Sequence, residues 1–500
     1  MLRRHRFALL LILLYALIGV SVYSDYGISW DEPTQHEYGK VVWQYVFNGN
    51  QALHEHGSRY HGPVFQALLY AMELVSETTA SPFELRHLIT FLFSVVGAWF
   101  FYLLLLRFKF SSYWAAVGLL FLLVSPRIFA HSFYNSKDAT FMYLFIIAVY
   151  TMIRFLKRPT LWIAVWHGLI CGLLIDVRIL GLFVPMITGL LWVGRVVNDR
   201  PHLRTSLPPM FIFGMIATLS MIAFWPTLWH APIEEFQNAL AKMSDYPWDD
   251  PVLFEGTFSQ PGDLPWYYLP KWMLITTPIF ISAMMVVGML SWFFNHRLTL
   301  SEKSVPLLWV ALPFGLILWK EATVYDGWRH VFFLYPAMLI VATYGAQQLF
   351  EKGPMSRKVR WFVPILLLFP IYSMVQSHPF QYVYFNPLVK KVAWSGYEMD
   401  YWGVSYKQVL EALVAQVPEG ELKVCTANAP GHHNSRMLQV NERERILYLN
   451  CETADYFVSN FRFPHEHNAF EKRFGFYSDP LQIIEVDGNP IVGVFRLKND

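Results

Sequence analysis

Long apolar runs alternate with short polar stretches over most of the chain. A membrane-spanning helix needs about 20 mainly apolar residues, so these runs predict about eleven spans. The runs lie at 7–24, 84–106, 112–131, 138–156, 160–176, 179–195, 207–226, 268–294, 304–320, 330–350 and 361–376. Asp176 and Arg178 interrupt the pair around 160–195, so the sidedness of every later segment depends on whether that pair forms a hairpin.

Basic residues mark alternate connections between the runs, and such loops are expected to face the cytoplasm. Arg3, Arg4 and Arg6 precede the first run and place the N-terminus inside. No small-residue cleavage site follows, which predicts an uncleaved first span. Further basic clusters on predicted inner loops are Arg107 with Lys109, Arg154 with Lys157 and Arg158, Arg195 with Arg200 and Arg204, Arg297 with Lys303, and Lys352 with Arg357, Lys358 and Arg360. An odd number of spans then puts the C-terminal segment outside.

Less apolar segments complete the predicted architecture. In the first outer loop, the stretches 35–47 and 64–75 predict helices lying on the membrane surface. Beyond residue 376 the pattern changes to a helical stretch, 406–416, and short β-rich runs at 422–426, 446–449, 456–459, 481–486 and 491–497. We therefore predict a mainly α, polytopic membrane bundle over 1–376 and a small extracytoplasmic α/β domain over 377–500.

Composition supports this membrane class and limits the partners. The 500 residues are 55% hydrophobic and 15% charged, against about 25% charged in soluble domains. A net charge of +2 gives no reason to expect a nucleic-acid partner. Of the three cysteines, Cys171 lies in an apolar run. Cys425 and Cys451 lie in the tail, where a bridge is an open question; it requires α-carbons within about 7 Å.

An adjacent acidic pair, Asp31-Glu32, stands at the exit of the first predicted span. One carboxylate of such a pair can deprotonate an acceptor hydroxyl while the other orients the loop or the acceptor. The alternative is a helix N-cap, because an acid followed by Pro33 is typical of a helix start. The two interpretations are compatible, since a cap also fixes the carboxylate.

Two later motifs are predicted to face the same side of the membrane. Asn135-Ser136-Lys137-Asp138 follows the third span, and Tyr325-Asp326-Gly327-Trp328-Arg329-His330 leads into the tenth. Ionisable groups at membrane depth are functional candidates by default. Arginine suits a phosphate because of its forked geometry. The candidate phosphate-binding residues are Arg329, His330, Lys320 and Arg178, and the candidate catalytic residues are Asp31, Glu32 and Asp138.

Simpler explanations exist for each of these charges. Arg329 can pair with Asp326 or Glu321, and Arg178 can pair with Asp176. The histidines and the acid of the first outer loop, which are His36, Glu37, His54, His56 and His61, fit no compact metal-ligand spacing. We therefore predict no required cofactor, and a divalent metal is the minor alternative.

The three motifs together resemble those of the GT-C membrane glycosyltransferases, the broad superfamily of protein O-mannosyltransferases and lipid A aminoarabinose transferases. The resemblance rests on Trp30-Asp31-Glu32, on the motif ending at Asp138 and on the motif ending at His330, and it covers about residues 1–376. The tail patterns 378–387 and 400–403 look like those of a bacterial subgroup. The chain lacks the β-trefoil insert of eukaryotic protein mannosyltransferases, which argues against a protein acceptor.

The resemblance implies a reaction at the outer face of a bacterial inner membrane. A sugar would pass, with inversion, from a polyprenyl-phosphate-linked donor to a glycan, lipid or protein acceptor. Asp31 would act as the base, and room for a sugar should separate it from Arg329. The alternative function is a multi-span lipid or solute transporter or flippase, which would also use intramembrane charges.

Overall fold

The computed structural model describes residues 2–76, 81–198, 200–244, 248, 250–352, 362–462, 468, 472 and 480–497. Helices dominate it. They are α1 Leu2–Val22, α2 Glu32–Asn48, α3 Val64–Val75, α4 Pro82–Arg107, α5 Ser112–Leu123, α6 Pro126–Tyr134, α7 Asp138–Lys157, α8 Leu161–Val177, α9 Phe183–Asn198, α10 Arg200–Phe224, α11 Pro232–Ser244, α12 Tyr268–Thr276, α13 Ile279–Ser291, α14 Leu300–Lys320, α15 Tyr335–Gln347, α16 Val363–Leu366, α17 Leu368–Gln376, α18 Ala393–Gly396, α19 Tyr406–Gln416, α20 Pro430–Asn434 and α21 Val440–Arg443.

Six helical segments of the described chain are long and apolar enough to cross a membrane. They are His5–Asp25, Pro82–Arg107, Asp138–Lys157, Ile179–Asn198, Leu203–Phe224 and Leu300–Lys320. The pair α5 and α6, bent by 65°, raises the count to seven if it forms one span. This identifies an integral membrane protein, but the predicted eleven spans are not confirmed.

The remaining predicted spans form shorter helices. Residues 160–176 give α8, and 268–294 divide into α12 and α13 at Thr277-Pro278, where proline stands next to the break. Residues 330–350 contain a 3₁₀ turn, the 13-residue helix α15 and the start of a π-helical turn, Gln348–Lys352. Of the predicted span 361–376, residue 361 lies outside the described residues, as do Arg357, Lys358 and Arg360 of the last basic cluster.

Local sequence signals set several helix ends as expected. Helix α2 starts at Glu32 with Pro33 in its first turn, and α3 covers the predicted 64–75. Thr299 and Glu302 form a reciprocal capping box at the start of α14. Arg178 is extended between α8 and the next 3₁₀ turn, so the predicted interruption of that pair is confirmed.

Helix α7 is the central element of the bundle. It is apolar on all sides, and 89% of its apolar, membrane-spanning stretch is buried within the protein. Such burial is expected for a helix without a polar face. It packs against α4, α8 and the 3₁₀ turn Arg329–Leu334. Its first residue, Asp138, is consequently held at a buried junction of the first, second and third motifs.

The C-terminal part forms the expected small sheet domain. Strands β1 Val252–Phe254 and β2 Thr257–Ser259 pair in an earlier loop. Strands β3 Leu422–Thr426, β4 Ile446–Tyr448, β5 Tyr456–Ser459, β6 Gln482–Val486 and β7 Asn489–Arg496 form one mixed sheet in the order β4-β3-β5-β7-β6. The parallel pairing of β3 with β4 and β5 brings Cys425 to Cys451, which lies just beyond β4. The two form a disulfide with α-carbons 5.1 Å apart, which answers the question that the sequence left open.

The two parts of the chain share one packed junction. Buried residues between 380 and 404, such as Phe380, Tyr382 and Trp402, belong to the same apolar core as the bundle. A separate core under the sheet begins at Tyr406. The predicted boundary between residues 376 and 377 stays a prediction, while residues 380–404 pack as part of the bundle.

Candidate active site

The adjacent carboxylates Asp31 and Glu32 lie in different environments. Glu32 is buried, accepts the Ser29 N–H at 2.8 Å and stands 2.9 Å from His87 Nε2. The Asp31 side chain is 30% exposed and makes no capping hydrogen bond to α2. The predicted helix start is therefore present without an Asp31 side-chain cap. Of the two groups, Asp31 is the one that an acceptor can reach.

Arg329 joins the three motifs that the sequence keeps far apart. Its Nη1 lies 3.5 Å from an Asp31 oxygen and 3.3 Å from an Asp138 oxygen, and its Nε lies 3.0 Å from Asp326. The guanidinium is only 5% exposed, and a buried cation requires such compensation. The expected sugar-sized gap between Asp31 and Arg329 is therefore wrong: the two side chains are in contact.

Asp138 is fixed from several directions. Asn135 accepts the Asp138 backbone N–H at 2.8 Å and donates to its carboxylate at 3.2 Å. The other carboxylate oxygen pairs with Arg178. Arg178 thus finds its partner in the second motif instead of in Asp176, which accepts the Val64 backbone N–H at 2.8 Å. The second motif is in this way both a helix start and part of the charged cluster.

Aromatic rings enclose the Arg329 guanidinium on its remaining sides. Its carbon lies 5.0 Å from the ring centre of Tyr325, 5.3 Å from that of Tyr401 and 4.9 Å from that of Trp402. Arg329 also donates to the Tyr401 hydroxyl at 3.4 Å. Trp248 stacks on Tyr325 with ring centres 3.9 Å apart. Cation–π contacts of this kind hold a guanidinium without neutralising it.

The C-terminal part also holds the backbone that carries Asp31. The Asn434 amide accepts the Ile28 N–H at 2.8 Å and donates to the Ile28 carbonyl at 2.9 Å. The Trp30 N–H donates to the Trp402 carbonyl at 2.9 Å. A β-carbon at Gly27 would collide with the Asn434 side chain, so this close approach requires glycine. We name this contact the Asn434 clamp.

The other predicted cationic residues divide between the cluster and its surroundings. His330 packs edge-on against Tyr325 at 4.7 Å, and its buried Nδ1 has no partner in the described part of the chain. Lys320 is exposed at the end of α14, where its ammonium lies 4.9 Å from the Trp319 ring centre. Within the described residues, no ion pair or hydrogen bond links Lys320 to the cluster.

Lys137 lies next to the cluster, with its ammonium 3.2 Å from His61 Nε2. Burial, together with the positive charge of Arg178, lowers the pKa of Lys137 to about 7. Metal-ligating residues are not concentrated here: the described ranges contain no group of three or more His, Cys, Asp or Glu that could hold an ion. The site is instead a set of carboxylates and cations joined by direct contacts.

Sequence reasoning located the motifs but missed several members of the site. Tyr401 and Trp402 were visible only as part of a tail pattern without a role, and Asp326 only as a simple partner for Arg329. Asn434 and Trp248 carry no local signal, because nothing in their neighbouring residues marks a contact with segments that are distant in sequence.

No protein-family model and no curated protein sequence matches the chain. Solved structures do. The chain is similar to the crystal structure of ArnT from Cupriavidus metallidurans bound to undecaprenyl phosphate, with 11% identity over 97% of both chains and a TM-score of 0.51. It is also similar to the archaeal oligosaccharyltransferase AglB from Archaeoglobus fulgidus, in complex with an inhibitory peptide and a dolichol-phosphate. That match has 12% identity over 100% of this chain and 75% of AglB, with a TM-score of 0.50.

Both neighbours are GT-C glycosyltransferases. The fold that the sequence motifs suggested is therefore confirmed over nearly the whole chain, including the C-terminal part. At these identities the likeness establishes the fold, and the chemistry must be argued from the residues of this chain.

Proposed function

We propose that the chain is a membrane glycosyltransferase. It transfers a sugar from a polyprenyl-phosphate-linked donor to an acceptor at the outer face of the membrane, with inversion. The observation that carries the proposal is the cluster in which Arg329 contacts both Asp31 and Asp138, in a chain with the GT-C fold. The two structural neighbours were solved with undecaprenyl phosphate and with a dolichol-phosphate bound, which favours a lipid-phosphate donor.

In the proposed reaction, Asp31 is the base that takes the proton of an acceptor hydroxyl. The hydroxyl oxygen forms a bond to the anomeric carbon as the bond from that carbon to the phosphate oxygen breaks. The electron pair of the broken bond leaves with the polyprenyl phosphate. Asp31 suits this task because it is the more accessible member of the acidic pair, and a base must come within hydrogen-bond reach of the proton.

The remaining charged residues divide the other tasks. Glu32 orients the Asp31 loop through its contacts with Ser29 and His87. Asp138 keeps Arg329 and Arg178 beside the reacting centre. We propose that these arginines stabilise the leaving phosphate, since positive groups fixed near developing negative charge lower the barrier, and that His330 binds the same phosphate through a hydrogen bond. The assignment of Lys320 to the same task stays a prediction.

The disulfide supports the proposed orientation. Disulfides persist in oxidising compartments and are rare in the cytosol. For a protein of a bacterial inner membrane, Cys425–Cys451 therefore favours a C-terminal domain outside the cytoplasm. The charges of the site stand at helix ends, with Asp138 opening α7 and Arg178 following α8. A transporter is expected to place such groups near the membrane midplane, so this arrangement favours the transferase.

The direct test uses purified protein in phosphatidylcholine vesicles, labelled polyprenyl-phosphate hexoses and pentoses, and an envelope extract as the source of acceptor. We expect label to enter an acceptor and free polyprenyl phosphate to accumulate. Asp31→Asn protein should do neither. Wild-type protein that moves lipid across the bilayer but transfers no sugar from any donor would point to a flippase instead. Mass spectrometry of envelope glycans from a deletion strain would identify the sugar and the acceptor.

A further inference from the structure

A cavity of about 40 Å³ lies between α2, α3 and the second motif. Its walls carry Gln35, Tyr38, His61, Gln66, Ser136 and Lys137. Phe65 and Val177 also line it, so polar side chains and apolar surface share a space that is next to the charged cluster, because Lys137 directly precedes Asp138. None of the functions assigned so far uses this cavity.

The neutral polar groups of the cavity bind one another and form a fixed wall. Ser136 donates to the Gln35 side-chain oxygen at 2.5 Å, and Gln66 donates to the Ser136 hydroxyl at 3.0 Å. Behind them, the fully buried Arg86 donates to the Gln66 side-chain oxygen at 2.5 Å. The Arg86 Nε and Nη1 groups have no hydrogen-bond partner in the described chain. The positively charged Arg86 side chain thus holds this wall in place from behind.

Lys137 differs from the arginines in what compensates its charge. Arg329 has three carboxylates in contact, and Arg178 has Asp138. The described residues place no carboxylate within ion-pair distance of the Lys137 ammonium, whose hydrogen-bonding neighbour is His61. An incoming anion would have to displace carboxylates from Arg329, whereas it can approach Lys137 directly.

We propose that this cavity receives the phosphoryl group of the lipid-linked donor, with Lys137 as its ionic contact and His61 as a hydrogen-bonding neighbour. The inference rests on the proposed function and moves the first contact of the phosphate away from Arg329. A lysine ammonium has three donor hydrogens, and one of them serves His61. Two are then left for phosphate oxygens of the bound donor, while Arg329 and Arg178 stay with their carboxylates until negative charge develops on the leaving phosphate.

The test measures binding of undecaprenyl phosphate to the full-length protein in phosphatidylcholine nanodiscs. Lys137→Gln keeps a polar side chain beside His61 and removes the charge, so affinity should fall about tenfold or more, as expected for a lost charged hydrogen bond. Lys137→Arg should retain most of the affinity. Lys40→Gln is the matched control, because Lys40 is a partly exposed lysine on α2 whose ion pair within the described residues is with Glu37.

A second measurement needs no variant. Undecaprenyl phosphate should protect Lys137, but not Lys40, from acetylation of wild-type protein, read by mass spectrometry. Competition by phosphatidylglycerol as strong as that by undecaprenyl phosphate would overturn the assignment in favour of a general anionic lipid surface. Inorganic phosphate that binds as tightly as the lipid would overturn it in favour of a free phosphate site.

The two proposals fail in different ways. If wild-type protein binds no undecaprenyl phosphate, the lipid-phosphate donor of the proposed function is itself contradicted. If wild-type protein binds it and Lys137→Gln binds it equally, without protection of Lys137, only the assignment to this cavity is overturned.

Discussion

The membrane bundle and the C-terminal segment meet at Arg329, and they bring opposite kinds of groups to it. The bundle supplies charges: Asp31, Asp138 and Asp326 contact the guanidinium. The C-terminal segment supplies neutral groups, with the rings of Tyr401 and Trp402 around Arg329 and the Asn434 clamp behind the Asp31 loop. One side therefore carries the proposed chemistry, while the other fixes its geometry.

This division predicts how substitutions on each side change the rate of sugar transfer. Removing Arg329 or the accessible carboxylate Asp31 that contacts it should change the chemical step itself. Removing a neutral contact from the C-terminal segment should loosen a loop and cost less, because each hydrogen bond contributes only about 1 kcal/mol. The predictions below run from the largest expected loss of transfer to the smallest.

Asp31→Asn should cause the largest loss. The variant keeps the shape of the side chain but removes its basicity, and general-base catalysis is worth roughly a hundred- to ten-thousand-fold. Folding should be nearly unchanged, because the Asp31 side chain makes no cap to α2 and Arg329 keeps Asp138 and Asp326 as partners. Transfer rate and thermal unfolding are measured on the same purified sample. A well-folded variant with the wild-type rate would end the assignment of Asp31 as the base.

Arg329→Ala should come next. It removes the cation that three carboxylates share. Losing a charged hydrogen bond in a desolvated site costs on the order of 2–3 kcal/mol, which lowers the transfer rate roughly 30- to 150-fold. Arg329→Lys should restore part of the rate, since ammonium keeps the charge but loses the fork. Arg443→Ala, which removes an exposed arginine of the sheet domain, is the control. Equal rates for Arg329→Ala and the control would contradict any role in the site.

Asn434→Ala tests the neutral side. It removes the two hydrogen bonds to Ile28 and those to Gly403 and Pro430, so we expect kcat to fall about tenfold from loss of about 1–2 kcal/mol, with little change in donor KM. Asn434→Asp should recover part of kcat, because it still accepts the Ile28 N–H. Gln416→Ala removes an exposed amide from the same domain and should leave kcat unchanged. A uniform loss of folded protein without this kcat effect would reduce the clamp to a structural contact.

Glu32→Gln should hurt less than Asp31→Asn. Glutamine still accepts the Ser29 N–H, and the lost interaction with His87 should lower transfer by a few-fold, in line with a net value near 1 kcal/mol for one buried hydrogen bond. The ratio of the two variants, measured under one set of conditions, decides which carboxylate is the base. The reverse order would move that role to Glu32.

Cys425→Ser should affect transfer least. The disulfide that closes the loop between Cys425 and Cys451 should stabilise the domain by about 2–4 kcal/mol. The C-terminal part of the variant should therefore unfold at a lower temperature, while kcat changes less than about twofold. Thiol labelling of cells before and after reduction tests the compartment. Free thiols at both Cys425 and Cys451 in untreated cells would contradict the extracytoplasmic placement of the domain.

Much of the architecture follows from the sequence alone. The apolar runs located the long helices, the strand-rich tail gave the sheet, and the positions of α2 and α3 followed from short amphipathic patterns. The three motifs and the GT-C resemblance were also visible. These features can be read locally because hydrophobic periodicity and capping signals depend on residues a few positions apart.

Only the tertiary structure decided which charges are partners. The sequence offered Asp176 as the simple partner of Arg178, and the reaction implied by the resemblance required a gap between Asp31 and Arg329. Folding instead pairs Arg178 with Asp138 and brings Asp31 to Arg329. The Asn434 clamp joins residues 406 positions apart in the sequence. The physical reason is that a buried charge or amide takes whichever partner the packed helices bring within reach, and spacing along the chain does not encode that distance.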